Sequence, residues 1–206
     1  RGYSVALVDL PGQGLVLNQG LYWEPETEHS MSAVVDTMIE QFNVDPKKLV
    51  LLGMSLGGYF ACRSAAYEHR FAAVIATPAL YHPEELFRGV GNQLAKGMPE
   101  SAAGNNNFQV LFWKAGVKNI SEMIEKWEGY AVDPKLVTMP FMSVLGMQEG
   151  SVWKKQTQEW SDGIKNDKKK LVMLDAETGA DAHCQANNIL RLVEEVDTWL
   201  KNVLPQ

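Results

Sequence analysis

The stretch Lys48-Leu49-Val50-Leu51-Leu52-Gly53-Met54-Ser55-Leu56-Gly57-Gly58 limits what this chain can fold into more than any other. A continuous apolar run enters a Gly-x-Ser-x-Gly turn, and a helix-like segment opens at Tyr59. Apolar runs without alternation belong to strands buried on both faces, as in parallel sheets. A turn of this composition between such a strand and a helix is a nucleophile elbow, which lifts a serine hydroxyl off the carboxyl edge of the sheet. Gly53 and Gly57 are expected where the turn presses on neighbouring backbone, and Ser55 in a backbone region that most residues avoid. The five-residue pattern is common by chance, so the flanking strand and helix carry the assignment. Ser55 is the candidate nucleophile.

The rest of the chain supplies a sheet for this elbow. Strands are expected at Tyr3–Leu10, Leu49–Met54, Phe71–Thr77, Pro140–Gly146 and Leu171–Leu174. Helices are expected at Glu28–Phe42, Tyr59–Glu68, Ser151–Ile164 and Asn187–Val203. In the first of these, apolar Met31, Val34, Val35, Met38, Ile39 and Phe42 recur at helical spacing. Alternation of strand and helix predicts an α/β fold with three layers, a mostly parallel sheet and right-handed crossovers. Residues 15–27 read as irregular, with Tyr22 and Trp23 either lining a pocket or covering the core.

The alternation breaks between about residues 80 and 140. Gly89, Gly91, Gly97, Pro99 and the run Ala102-Ala103-Gly104-Asn105-Asn106-Asn107 read as loop, followed by short amphipathic pieces at Phe108–Trp113 and Ile120–Trp127. An insert of this length predicts a cap over the carboxyl edge of the sheet. Its Tyr81, Phe112, Trp113 and Trp127 either roof an apolar pocket or pack on the core. With 206 residues, 46% of them hydrophobic, the chain has enough for one sizeable core, so residues 1–206 are taken as one catalytic domain. Arg1-Gly2 runs at once into a strand-like segment, which predicts a longer protein with further strands before Arg1.

A net charge of −6 and a pI near 5.3 argue against a nucleic-acid surface. The basic run Lys168-Lys169-Lys170 reads as a solvated strand entrance. No apolar run approaches the roughly 20 residues that span a bilayer, and no signal peptide is visible. Cys62 and Cys184 sit in no Cys-x-x-Cys pattern, which suits a reducing, cytoplasmic compartment. The histidines and Cys184 show no metal-ligand spacing, and Gly12-Gln13-Gly14 is too short for a dinucleotide fingerprint, so neither metal nor cofactor is expected.

A serine hydroxyl is a poor nucleophile at neutral pH and needs a base, which in turn needs an orienting acid. On an elbow fold the order is Ser, then Asp or Glu, then His, each after a strand. Of the four histidines, His29 precedes the serine, His69 lies at the far end of the elbow helix, and His82 follows the strand that ends at Thr77, from where it could reach the pocket. His183 follows the last strand and precedes the final helix, where the base belongs. Glu149 is the carboxylate in the loop after Leu145, with Asp175 and Asp181 as competitors. Asp181 is expected to shape the histidine loop by capping backbone N–H groups. The oxyanion formed in acyl transfer needs two N–H donors. Leu56 supplies one, at a helix start where the dipole helps, and the other is expected upstream of Arg1.

With these residues in hand, the chain resembles an α/β-hydrolase from its fourth strand onward, over essentially its whole length. It is most similar to the branch that holds the dihydroxypseudooxynicotine hydrolases, the fungal pigment enzymes that shorten polyketides, and FrsA-like esterases. The resemblance rests on Val8-Asp9-Leu10-Pro11-Gly12-Gln13-Gly14, Gly53-Met54-Ser55-Leu56-Gly57-Gly58 and Gly179-Ala180-Asp181-Ala182-His183-Cys184-Gln185. It implies a largely helical lid and cleavage of an ester or of a C–C bond beside a carbonyl. Many members of the branch have Asp as the acid where this chain has Glu149. The expected partner is a small aromatic or apolar acyl compound, with a homodimer left open. A simple carboxylesterase and a non-catalytic binding protein are the alternatives, and the retained Ser-Glu-His order weighs against the second.

Overall fold

The computed structural model describes residues 2–97 and 101–204, so Arg1 and Pro99 lie outside the described residues. Strands β1 (Val50–Met54), β2 (Ala73–Thr77), β3 (Phe141–Gly146) and β4 (Lys170–Leu174) form one sheet in chain order. Every pairing is parallel, with Met54 opposite Thr77 and Gly146 opposite Leu174 at the carboxyl edge. Between strands run α3 (Leu56–Tyr67) and α7 (Ser151–Gly163), while α2 (Thr27–Phe42) precedes β1 and α8 (Ile189–Val203) closes the chain. Each lies within a few residues of its expected span, because the apolar spacing that defines the face also defines the helix.

Two cores flank the sheet. One is built around α3, whose Tyr59, Phe60, Ala61, Cys62 and Ala65 are buried together with Val74, Phe141 and Trp160. The other packs Ile75, Met142, Val144 and Leu174 against Leu192, Trp199 and Leu200 of α8. Helices on both faces of a parallel sheet give the three layers anticipated above. Tyr59 also anchors two loops, its O–H lying 3.0 Å from Pro25 O and 3.1 Å from Tyr130 O. Beside it the Arg63 guanidinium grips both oxygens of Glu28, and the two side chains are only 8% and 12% exposed.

Three expectations are corrected. Tyr3–Leu10 is not a strand: residues 2–10 carry no ladder, and Val5 and Leu7 are exposed. A strand exists only with a hydrogen-bonded neighbour, and no described strand runs beside this segment. It is held by its ends instead, Tyr3 O–H donating to Asp197 Oδ1 at 3.2 Å and Leu10 entering the α3 core. Residues 15–27 are not wholly irregular, since α1 spans Gly14–Asn18, and Trp23 is a core residue.

The third correction concerns the insert. Gly89 and Gly91 lie inside α4 (Pro83–Leu94), and the Ala/Gly/Asn run falls within α5 (Ala102–Ala115), followed by α6 (Ile120–Trp127). Helix propensity is a weak prior that tertiary packing overrides. His82 caps α4 by accepting Glu85 N–H at Nδ1, and Pro83 pre-sets its first turn. A Cβ on Gly91 would lie 3.4 Å from Ile120 Cγ1, so its absence lets α6 approach. Phe87, Phe112, Met123 and Trp127 of these helices join the α3 core. Phe112 and Trp127 are therefore core residues, while Trp113 is exposed and Tyr81 stacks on Trp160.

Candidate active site

The ends of β1, β3 and β4 place three loops together at the carboxyl edge. Ser55 occupies the elbow at φ +56°, ψ −124°, and its N–H donates to Thr77 O at 2.9 Å. Gly53 is where a side chain is forbidden: its Cβ would lie 1.9 Å from Gly57 O. Gly58 is equally constrained, with Pro78 O at 2.0 Å from a Cβ. Gly57 departs from expectation, because a Cβ there meets open space. Its carbonyl, not its missing side chain, is what crowds Gly53. Leu56 is the first residue of α3, and a helix's first-turn N–H groups have no intrahelical acceptor, so this one is free to face a developing oxyanion.

His183 stands in a short 3₁₀ turn after β4, its Nε2 2.9 Å from Ser55 Oγ. Its Nδ1 lies 2.8 and 2.9 Å from the two carboxylate oxygens of Glu149. A carboxylate only accepts, so in the neutral ring Nδ1 carries the proton and Nε2 is left to accept from the serine hydroxyl. Glu149 is 3% exposed at its side chain whereas the imidazole is 47% exposed, so the carboxylate is shielded and one edge of the ring is open. The His183 pKa is raised from 6.5 to about 10 by the neighbouring Cys184 sulfur and then by hydrogen bonding to Glu149, against partial burial.

Asp175 is turned to local work, its Oδ1 accepting Thr178 N–H at 3.1 Å. Asp181 also departs from expectation. It accepts side-chain amides rather than backbone N–H groups, Gln148 Nε2 at 2.8 Å and Asn187 Nδ2 at 2.9 Å. The acid loop and the histidine loop are thereby stitched together, and a Cβ on Gly146 would lie 2.4 Å from Asp181 O. His82 caps α4 and His69 lies 3.4 Å from Thr138 Oγ1, so neither joins Ser55. His29 shares a patch with Glu26 and Glu28 whose potential ligand atoms lie within 4.8 Å of one another, but Glu28 gives both oxygens to Arg63.

Sequence reasoning passed over Trp153, whose ring centroid is 5.5 Å from that of His183, tilted by 56°. Its position in the first turn of the helix after the acid loop was the available signal. It also gave no site role to Thr77, Cys184 and Gln185, which meet behind the elbow.

The chain as a whole matches known proteins. The prolyl oligopeptidase family profile matches residues 1–206. The hydrolase LUC6 of a Fusarium species is 43% identical over 92 residues, which are 42% of this chain and 21% of that protein. The 20-hydroxy-prefusarin hydrolase of Gibberella moniliformis is 37% identical over 92 residues, again 42% of this chain and 21% of the relative. Among solved structures, 2,6-dihydroxy-pseudo-oxynicotine hydrolase superposes with a TM-score of 0.70 at 21% identity, covering 95% of this chain and 51% of that one. The matches thus span about a fifth of these curated relatives and about half of the solved structure. No helix among the described residues is long and apolar enough to cross a membrane.

Proposed function

The chain belongs to the prolyl oligopeptidase family within the α/β-hydrolases, and we propose that it is a cofactor-independent serine hydrolase with Ser55, His183 and Glu149 as its triad. One observation carries the reading: a continuous hydrogen-bond path from Ser55 Oγ through the imidazole to a shielded carboxylate. Ser55 Oγ attacks a substrate carbonyl carbon while its proton passes to His183 Nε2. The oxyanion takes a hydrogen bond from Leu56 N–H. The C–O or C–C bond then breaks, and the leaving group takes the proton back from His183. Water attacks the acyl-enzyme, gives a proton to His183, and releases the acid and the serine hydroxyl.

The substrate proposed is an aromatic or apolar acyl compound cleaved at an ester or at a C–C bond beside a carbonyl. The names of the prefusarin and pseudo-oxynicotine hydrolases support an oxygenated, ring-bearing or polyketide-like substrate of the sort used in pigment biosynthesis. Trp153, tilted against the imidazole, is an aromatic wall suited to it. The helices α4 to α6 serve as the cap. Two free buried cysteines suit a reducing, cytoplasmic setting.

A fluorophosphonate probe on the full-length protein tests the class, with labelling expected at Ser55 and lost in Ser55→Ala. Absence of labelling sinks the enzyme reading in favour of a non-catalytic binding protein. Release of an acid from an aromatic β-diketone but not from a p-nitrophenyl ester supports C–C cleavage, and the reverse supports a simple carboxylesterase.

A further inference from the structure

Behind the triad lies a buried polar cluster that the chemistry above does not use. Thr77, the last residue of β2, and Gln185 are fully buried, and Cys184 is nearly so. The Thr77 carbonyl accepts Ser55 N–H at 2.9 Å and the Cys184 S–H at 3.2 Å. The Thr77 hydroxyl donates to Gln185 Oε1 at 2.5 Å. The backbone of the nucleophile and the two residues that follow the histidine therefore end on one threonine.

Both ends of this connection are strained. Ser55 sits at φ +56°, and Cys184 and Gln185 both sit at φ +53°. Residues with a Cβ persist in that region only where the surroundings hold them there, and such places cluster at functional sites. Because Cys184 and Gln185 directly follow His183, their backbone sets where the imidazole stands. Gln185 is also poorly explained as a stabilising element. Its Nε2 has no acceptor among the described residues, and a buried unpaired donor costs stability that an apolar side chain of the same shape avoids. What Gln185 contributes is the acceptor for Thr77.

We propose that Thr77 and Gln185 are positioning residues whose hydrogen bond latches the nucleophile elbow to the histidine loop and holds Ser55 Oγ within bonding distance of His183 Nε2. Neither touches the reacting atoms, and the proposal rests on reading Ser55, Glu149 and His183 as the triad. If the latch opens, the histidine loop is free to relax its left-handed backbone, and the 2.9 Å contact between base and nucleophile is the distance that changes. Misplacing a reacting group by about 1 Å costs on the order of a hundredfold in rate.

The test uses the full-length protein, a p-nitrophenyl ester as substrate, fluorophosphonate labelling of Ser55, and urea unfolding. Thr77→Val and Gln185→Met are each expected to lower kcat by about tenfold to a hundredfold with KM within about twofold, and to slow labelling in parallel. Thr77→Ser, which keeps the hydroxyl, is expected to restore kcat to within about threefold of the parent. The double variant Thr77→Val/Gln185→Met should be no slower than the worse single variant, since one interaction cannot be removed twice. The double variant should unfold at an unchanged or higher urea midpoint, because it removes both the unpaired Gln185 donor and the Thr77 hydroxyl that a single Gln185→Met change strands. Parental kcat in both single variants overturns the latch. So does a loss that appears only in KM, or one that follows the unfolding midpoint and is not rescued by serine. If Thr77→Val fails to fold, Gln185→Met and Thr77→Ser decide the matter alone. Turnover retained by Ser55→Ala overturns the triad and the latch with it, whereas a dead Ser55→Ala beside unaffected Thr77→Val and Gln185→Met variants overturns the latch only.

Discussion

Replacing Glu149 by Gln exchanges one oxygen for an NH2 group in a side chain that is 3% exposed, so it isolates the acid's contribution. In the parent, both carboxylate oxygens lie within 2.9 Å of His183 Nδ1 and can only accept, which fixes the proton there. The amide introduced by Glu149→Gln offers one acceptor and one donor group at the same place. When the NH2 group faces Nδ1, the imidazole proton moves to Nε2 and points at Ser55 Oγ, 2.9 Å away, where an acceptor is required. The imidazolium formed during attack also loses its counter-charge. The corresponding change in a serine protease costs about ten-thousandfold in kcat through the wrong tautomer. His183 is half exposed, so water shares in stabilising its charge and the expected loss here is about a hundredfold to ten-thousandfold, or about 2.7 to 5.4 kcal/mol in barrier. The assay is steady-state hydrolysis of a p-nitrophenyl ester by the full-length protein, with circular dichroism to verify the fold. Asp175→Asn serves as the comparison and should change kcat less than about twofold, because that carboxylate only caps Thr178 N–H at the surface. A Glu149→Gln enzyme within about threefold of the parent, or a larger loss in Asp175→Asn, refutes the assignment of the acid.

Four further outcomes follow from contacts already described. The free-enzyme profile of kcat/KM should rise with pH through an apparent pKa above 6.5, since only neutral His183 can accept the serine proton and the fold favours its charged form; a limb at or below 6.5 contradicts this. By the same linkage His183 stabilises the fold most at pH below 6.5 and loses that contribution as pH climbs toward about 10, which thermal melts of the parent and of His183→Ala compared across that window will detect. Gly58→Ala drives a Cβ to 2.0 Å from Pro78 O, backbone against backbone, and should lower unfolding stability by at least roughly 1–3 kcal/mol in urea; an unchanged midpoint shows that the elbow yields more easily than its packing implies. Arg63→Ala strands the Glu28 carboxylate, which is 12% exposed, and should cost about 3–5 kcal/mol, with Arg63→Met/Glu28→Leu recovering much of it; no recovery means that the loss is one of packing rather than charge.

What could be read from the sequence divides along a physical line. Strands β1 to β4 were legible because each is a short apolar run bounded by breakers, and helices α2, α3, α7 and α8 because their faces repeat at helical spacing. Strand ends locate loops, so the loops of Ser55, Glu149 and His183 could be found without knowing any contact between them. Features that depend on a neighbour were not legible. Tyr3–Leu10 has strand composition but no strand beside it among the described residues, and the Asn-rich start of α5 has loop composition but a helix whose later turns pack on the core. Asp181 looked like a backbone cap because a loop aspartate usually is one, yet Gln148 and Asn187 from two loops each take one of its oxygens. Thr77 is the sharpest case. In the run Ala73-Val74-Ile75-Ala76-Thr77 a β-branched residue reads as strand filler, and its hydroxyl carries no message. Only the register, which sets Thr77 opposite Met54 at the lip of the elbow, turns that hydroxyl and carbonyl toward Ser55 on one side and Gln185 on the other. A polar side chain fully buried at the end of an apolar parallel strand that adjoins an elbow strand is therefore worth testing as a positioning residue before it is dismissed as packing.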